Sequence, residues 1–141
     1  MEFRKAVSSD LERLFQIDTI VPSDPTRSEY ITTAVASNDM WVCLRDHKIV
    51  GYAVLNHSLF NRPTVDMLMI AVEHRKSGIG TEFMKHLEKL NDRDELWIST
   101  NLSNSPMQRL LACLDYKLTG YVDNLDPGDP ELIFYKKLRK A

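Results

Sequence analysis

Residues 75–81, "RKSGIGT", bring together the residue types that hold an anion. They follow an apolar run that ends at Val72 and lead at once into a helix-like pattern. A helix N-terminus leaves several N–H groups unpaired and carries a partial positive charge. Glycine lets a ligand approach the backbone with no Cβ in the way and tolerates left-handed angles. Arg75 and Lys76 add cationic arms, Ser77 and Thr81 add hydroxyls, and Gly78 and Gly80 flank Ile79. A diphosphate resting on the N–H groups of residues 76–81 suits such a turn. The same residues also read as a plain strand-to-helix turn with solvated basic side chains. Two familiar phosphate loops do not fit. There is no G-x-x-x-x-G-K-[ST], and Phe83 stands where a dinucleotide fingerprint has its third glycine.

A second candidate is Asp66, the only charged residue in "VDMLMIAV". It reads either as a catalytic base or as a strand-edge charge facing solvent. His57 lies on the adjoining strand and is a candidate helper. His47 falls in a turn, His86 on a helix exterior and His74 beside the basic pair, none with a metal-like partner spacing. The segment "DNLDPGDPE" gathers Asp123, Asp126, Asp129 and Glu131. Asp126 and Asp129 are candidates for attracting a cationic ligand, because a charged cleft raises the local counter-ion concentration. Asp, Pro and Gly also simply make turns there.

These residues need elements to hold them. "FRKAV" reads as an opening strand, followed by two helices whose starts show capping-box spacing, Ser9 with Glu12 and Thr26 with Glu29. "MWVCLR" and "KIVGYAVLNHSLF" form a hairpin around "DH", and "TVDMLMIAV" suits a strand covered on both faces. Ile79, Phe83, Met84, Leu87 and Leu90 recur at helical spacing. "ELWIST" is a strand, and Ser105, Pro106 and Gln108 open a helix whose buried stripe is Met107, Leu110, Leu111 and Leu114. "YKLTGYV" and "ELIFYKKL" close the chain as strands. The predicted order is β-αα-βββ-α-β-α-ββ, a mixed α/β chain in one domain over residues 1–141.

The bulk numbers agree. At 141 residues and 43% hydrophobic, the chain supports a substantial core. A net charge of −2 gives no sign of a nucleic-acid or membrane surface. The opening residues contain no apolar stretch, and no run reaches eighteen apolar residues, so neither secretion nor a membrane span is expected. Cys43 and Cys113 are far apart and lack CxxC spacing. They read as buried thiols in a reducing cytosol, and no metal is expected.

Arg75-Lys76-Ser77-Gly78-Ile79-Gly80, after "MLMIAV" and before an amphipathic helix, resembles motif A of the GNAT superfamily of N-acetyltransferases, Q/R-x-x-G-x-G/A. Asn104, the helix "SPMQRLLACL" and "DYKLTGY" resemble motif B, an Asn before a helix ending in Gly-Phe or Gly-Tyr. The element order matches that fold along most of the chain. The resemblance implies a central, mostly antiparallel sheet with a ligand-accepting gap beside the middle strand. It implies acetyl-CoA as co-substrate, with the backbone of Ile70, Ala71 and Val72 pairing the pantetheine arm. Residues Arg75 to Thr81 would hold the diphosphate, and Asn104 the pantetheine amide. Two positions depart from the pattern. Leu111 stands where many members carry the tyrosine that protonates the leaving thiolate, and Asp115 replaces the turn glycine. Cys113 and Tyr116 are the nearby alternative donors.

The expected function is a cytoplasmic N-acetyltransferase acting on a small-molecule or peptide amine, with an open sheet edge that favours a homodimer. A non-catalytic acyl-CoA-binding module and a cofactor-free interaction domain are the competing expectations.

Overall fold

The computed structural model describes residues 1–139. Seven strands and four helices follow the predicted order: β1 (Glu2–Lys5), α1 (Leu11–Ile17), α2 (Pro25–Ala36), β2 (Met40–Arg45), β3 (Lys48–Leu59), β4 (Arg62–Ile70), α3 (Ile79–Leu90), β5 (Glu95–Asn101), α4 (Ser105–Cys113), β6 (Lys117–Val122) and β7 (Glu131–Lys137). Short 3-10 turns occupy Ser8–Asp10 and Val72–His74. The strand order across the sheet is β1-β2-β3-β4-β5-β7-β6. The chain divides into two compact units, Met1–Leu55 with Met67–His86, and Asn56–Asp66 with the chain from Leu87 onward.

In the first unit β1, β2 and β3 pair antiparallel, from Glu2↔Leu44 and from Met40↔Val54. The β2–β3 turn is two residues long, and both Asp46 (φ 52°) and His47 (φ 65°) are left-handed. That tight reversal matches the right-handed twist of the flanking strands. Leu14, Ile17, Ile31, Ala34, Met40, Val42, Tyr52, Val54, Met69 and Ala71 form its buried core. A buried ion pair anchors the α1–α2 connection. Asp18 accepts from the Arg27 Nε at 3.0 Å, from the amides of Ile20 and Val21 at 2.8 and 3.0 Å, and from the Tyr52 hydroxyl.

In the second unit β5 and β7 pair antiparallel from Glu95↔Lys137 to Asn101↔Glu131. β6 joins β7 with a bulge between Leu118 and Gly120. β4 meets β5 in parallel at Thr64↔Trp97 and Val65↔Ile98. Strict alternation buries Leu96, Ile98 and Thr100 on β5, and Leu132 and Phe134 on β7, as a period of two requires.

Helix starts differ from the predicted capping boxes. The Asp10 carboxylate takes the Val7 amide at 2.9 Å and pairs with Arg4 at 2.8 Å, so Ser9 and Glu12 are not the cap. Asp24 caps α2, accepting from Thr26 N–H at 2.9 Å with Pro25 in the first turn. Asn104, not Ser105, caps α4, its side chain accepting from Met107 N–H at 3.2 Å. Gln108 reaches back to the Leu102 carbonyl at 2.6 Å. A short acceptor side chain just outside the first turn satisfies orphan amides better than a residue already committed to the helix.

Candidate functional site: the strand–turn–helix at residues 70–81

β4 runs out at Ile70, turns once through Val72–His74, and enters α3 at Ile79. Two residues of the turn are left-handed, Lys76 at φ 61° and Gly78 at φ 84°. Lysine in this region is uncommon and costs free energy, a pattern that clusters at ligand-binding turns. The Ser77 hydroxyl donates to the His74 carbonyl and closes the turn. Ile79 is buried and pins the helix start, while Lys76, Ser77 and Gly78 stay exposed on either side of the bend. The first helical hydrogen bond outside α3 itself runs from Glu82 N–H to the Gly78 carbonyl at 3.1 Å. The preceding amides therefore lack intrahelical acceptors and carry the partial positive charge of a helix N-terminus.

A Cβ on Gly78 would meet no protein atom within 4 Å. Glycine is required there by the backbone angle, and the turn is open on the side where a ligand would approach. The donor set suits a diphosphate: peptide N–H groups in a bend, a flanking ammonium and a helix N-terminus.

The strand end is tightly determined. Ala71 N–H donates to the Val50 carbonyl at 2.8 Å. A Cβ on Gly51 would come within 2.8 Å of Ile70 Cδ1 and 3.1 Å of the Met69 carbonyl oxygen, so β3 approaches β4 closely only because residue 51 is glycine. Arg75 does not extend outward. Its Nε donates to the Ile70 carbonyl at 2.9 Å, and its Nη2 lies 3.4 Å from Met69 Sδ.

The remaining candidates belong to the second unit. Asp66 is half-buried and accepts from the Ser58 hydroxyl at 2.8 Å. Neighbouring His57 is exposed. Asn104 uses its side-chain oxygen to cap α4. Asp126 accepts from Asn101 Nδ2 at 2.9 Å, and Asp129 accepts from the Ser103 amide at 2.9 Å and its hydroxyl at 2.6 Å. Asp126 thus ties the β6–β7 loop to the end of β5, and Asp129 ties it to the segment just after β5, while both remain near the surface.

Of the alternative proton donors, Tyr116 is buried and committed. Its hydroxyl donates to Glu88 Oε2 at 2.7 Å, and Lys136 holds the same carboxylate at 3.1 Å. Burial, then the Glu88 hydrogen bond and charge, push the phenol far above its ordinary range. Leu111 is fully buried. Cys113 is exposed, contrary to the expected buried thiol, whereas Cys43 is buried and its thiol pushed up to about 11 by desolvation. Asp115 takes φ 68°, the left-handed angle expected of a position that a glycine would fill. His86 is not on an open helix exterior. It stacks on Phe3 with ring centroids 4.2 Å apart. Sequence reasoning singled out neither the Asp18–Arg27–Tyr52 cluster nor the Glu88 acceptor. The one available signal was a tyrosine or carboxylate inside an otherwise apolar face.

Among the described residues, no three His, Cys, Asp or Glu side chains are arranged to hold a metal ion. None of the described helices is long and apolar enough to cross a membrane.

A seven-stranded mixed sheet, four helices and a glycine turn opening a helix N-terminus define, among the described residues, a mixed α/β protein. The chain belongs to the GNAT family of acetyltransferases, whose family model matches residues 7–116. A GNAT-family acetyltransferase from Bacillus cereus superposes with a TM-score of 0.89 at 26% identity, covering 99% of this chain and 98% of that one. The ribosomal-protein-S18-alanine N-acetyltransferase of Escherichia coli gives 0.79 at 17% identity, covering 99% and 95%. Salmonella typhimurium yncA, solved with its cofactor acetyl-CoA, gives 0.75 at 14% identity, covering 99% and 95%. The last two likenesses speak to the fold alone. A comparison with curated protein sequences found no match. The family match ends at Tyr116, before β6, β7 and the loop carrying Asp126 and Asp129.

Proposed function

We propose that this chain is an acetyl-CoA-dependent N-acetyltransferase that moves an acetyl group to a primary amine by direct attack on the thioester. The observation that carries the reading is the turn itself: Lys76 and Gly78 both left-handed, and the amides before Glu82 left without helical acceptors. In this reading the diphosphate of coenzyme A rests on the amides of residues 76–81, with Lys76 beside it and the Thr81 hydroxyl in the first helical turn. The pantetheine arm pairs with the backbone of Ile70, Ala71 and Val72, and Asn104 donates through its amide nitrogen while its oxygen caps α4. Acetyl-CoA supplies the activated acetyl group. The acceptor amine must be uncharged to attack, which calls for a base. Asp66 is assigned that task, with Ser58 orienting the carboxylate. The departing thiolate takes its proton from water, since Leu111 has no acidic proton to give and Tyr116 is engaged with Glu88.

The acceptor is a small-molecule or peptide amine. The test is thiol release from acetyl-CoA across a panel of amines, run beside a binding titration. Turnover with at least one amine supports the reading, and absence of acetyl-CoA binding ends it. The buried Leu111 and committed Tyr116 favour one alternative, a non-catalytic acyl-CoA-binding module. Tight binding without turnover on any amine would establish that instead.

A further inference from the structure

The peptide between Ile70 and Ala71 is fixed from both sides. Carbonyl and N–H of one strand peptide point in opposite directions. The Ala71 N–H is spent on Val50 of β3 at 2.8 Å. The Ile70 carbonyl therefore points away from β3, and there it meets the Arg75 Nε at 2.9 Å. The guanidinium is steadied by its Nη2 against the sulfur of buried Met69 at 3.4 Å. Gly51 removes the last freedom, because a side chain there would press on Ile70 Cδ1 at 2.8 Å and the Met69 carbonyl at 3.1 Å.

We infer that Arg75 is a positioning residue, which sets the plane of the Ile70–Ala71 peptide for the pantetheine arm and leaves the diphosphate to the turn amides and Lys76. The inference rests on the acetyl-CoA reading above but assigns Arg75 a different job from the outward cationic arm that motif A suggests. A carbonyl oxygen has two lone pairs. With one held by Arg75, the second has a fixed direction and is presented as an acceptor to an amide of the added ligand strand. The planar fork of arginine bonds the carbonyl through Nε while Nη2 reaches the sulfur, a geometry lysine cannot reproduce.

Two donors separate the roles. Acetyl-CoA carries the diphosphate and nucleotide, whereas S-acetylpantetheine carries only the arm and the thioester. If Arg75 positions the strand end, Arg75→Ala raises KM for both donors by the same factor, about tenfold for the loss of one charge-assisted hydrogen bond. Arg75→Lys fails to restore either. If the arginine grips the diphosphate, KM rises for acetyl-CoA and is unchanged for S-acetylpantetheine, and the inference is overturned. An unchanged KM for both donors overturns it as well. Amide hydrogen exchange at Ala71 gives a readout independent of turnover. It should quicken in Arg75→Ala with no donor present, and unaltered exchange counts against the strut. Wild-type protein that binds neither donor would instead remove the acetyl-CoA reading, and with it any arm to position.

Discussion

The Tyr116 hydroxyl lies 2.7 Å from Glu88 Oε2, and the Lys136 ammonium completes the group by contacting both oxygens of the same carboxylate at 3.1 Å. The three side chains tie the end of α3, the start of β6 and the last strand together, with the Lys136 ammonium 5.4 Å from the Tyr116 ring centre. A phenol donating to a half-buried carboxylate that is also paired with a lysine is poorly placed to deliver its proton elsewhere. Tyr116→Phe should therefore keep kcat within about twofold while removing one charge-assisted hydrogen bond, at a cost of roughly 1.5–3 kcal/mol. Thiol-release kinetics and a thermal melt on the same sample check both halves. A hundredfold fall in kcat with an unchanged melt would make Tyr116 the acid after all.

Gly78 separates backbone strain from ligand access. No protein atom opposes a Cβ there, so Gly78→Ala suffers mainly from φ 84°, about 1–2 kcal/mol of stability. The added methyl would project into the open side of the turn. Acetyl-CoA affinity, measured by calorimetry, should fall at least tenfold. An unchanged Kd would mean that the diphosphate lies elsewhere.

Acid should weaken the first unit in a way one residue controls. Burial alone raises the Asp18 carboxyl, yet hydrogen bonds from Tyr52, Ile20, Arg27 and Val21 outweigh it and hold the group below the ordinary carboxylate range. Arg4 does the same for Asp10. Such groups add stability that is complete above the unfolded carboxylate pKa, about 3.9, and that is lost as pH falls through the lower folded values. The melting midpoint should stay level from pH 7 to about 5 and drop below about 4. Asp18→Asn should start lower by about 3 kcal/mol at pH 7, because Arg27 is left half-buried without its partner. Its decline in acid should be shallower. Parallel curves for both proteins would contradict this.

The acidic loop offers a test of charge against hydrogen bonding. Asp126→Asn with Asp129→Asn keeps an acceptor oxygen for Asn101 and Ser103 but removes two negative charges. The apparent KM for a cationic amine should rise severalfold, and more so at low salt, where steering is strongest. Kinetics unaltered at both salt concentrations would leave these carboxylates with loop closure as their whole role.

Legibility in the sequence followed the range of the interaction. Capping residues, β-branched and aromatic runs and helical periodicity together placed the strands and helices. Ile79, Phe83, Met84 and Leu87 are buried as their spacing required, whereas Leu90 on the same predicted stripe is exposed at the end of α3. Asp115 betrayed its left-handed angle by replacing a glycine. Caps were less legible. Several polar residues precede each helix, and the winner depends on which one leaves helical geometry, as Asp24 and Asn104 do. Glu88 is 28 residues from Tyr116 and 48 from Lys136, so nothing local announces their meeting. Arg75 was visible as a cation, but its direction was not. Whether a guanidinium reaches out or folds back depends on a carbonyl and a sulfur placed by the strand before it.

The two-residue reversals at Asp46–His47 and Phe60–Asn61, with all four residues left-handed, join β2, β3 and β4 with almost no intervening chain. Closing so short a link sacrifices little entropy. The β5–β7 ladder, by contrast, must wait for α4 and β6 to be threaded between its partners. Folding should therefore nucleate in the three-strand meander, with the C-terminal ladder condensing onto the barrier's far side. In a mutational kinetic survey, substitutions in β3 should slow folding, while those in β7 should chiefly hasten unfolding.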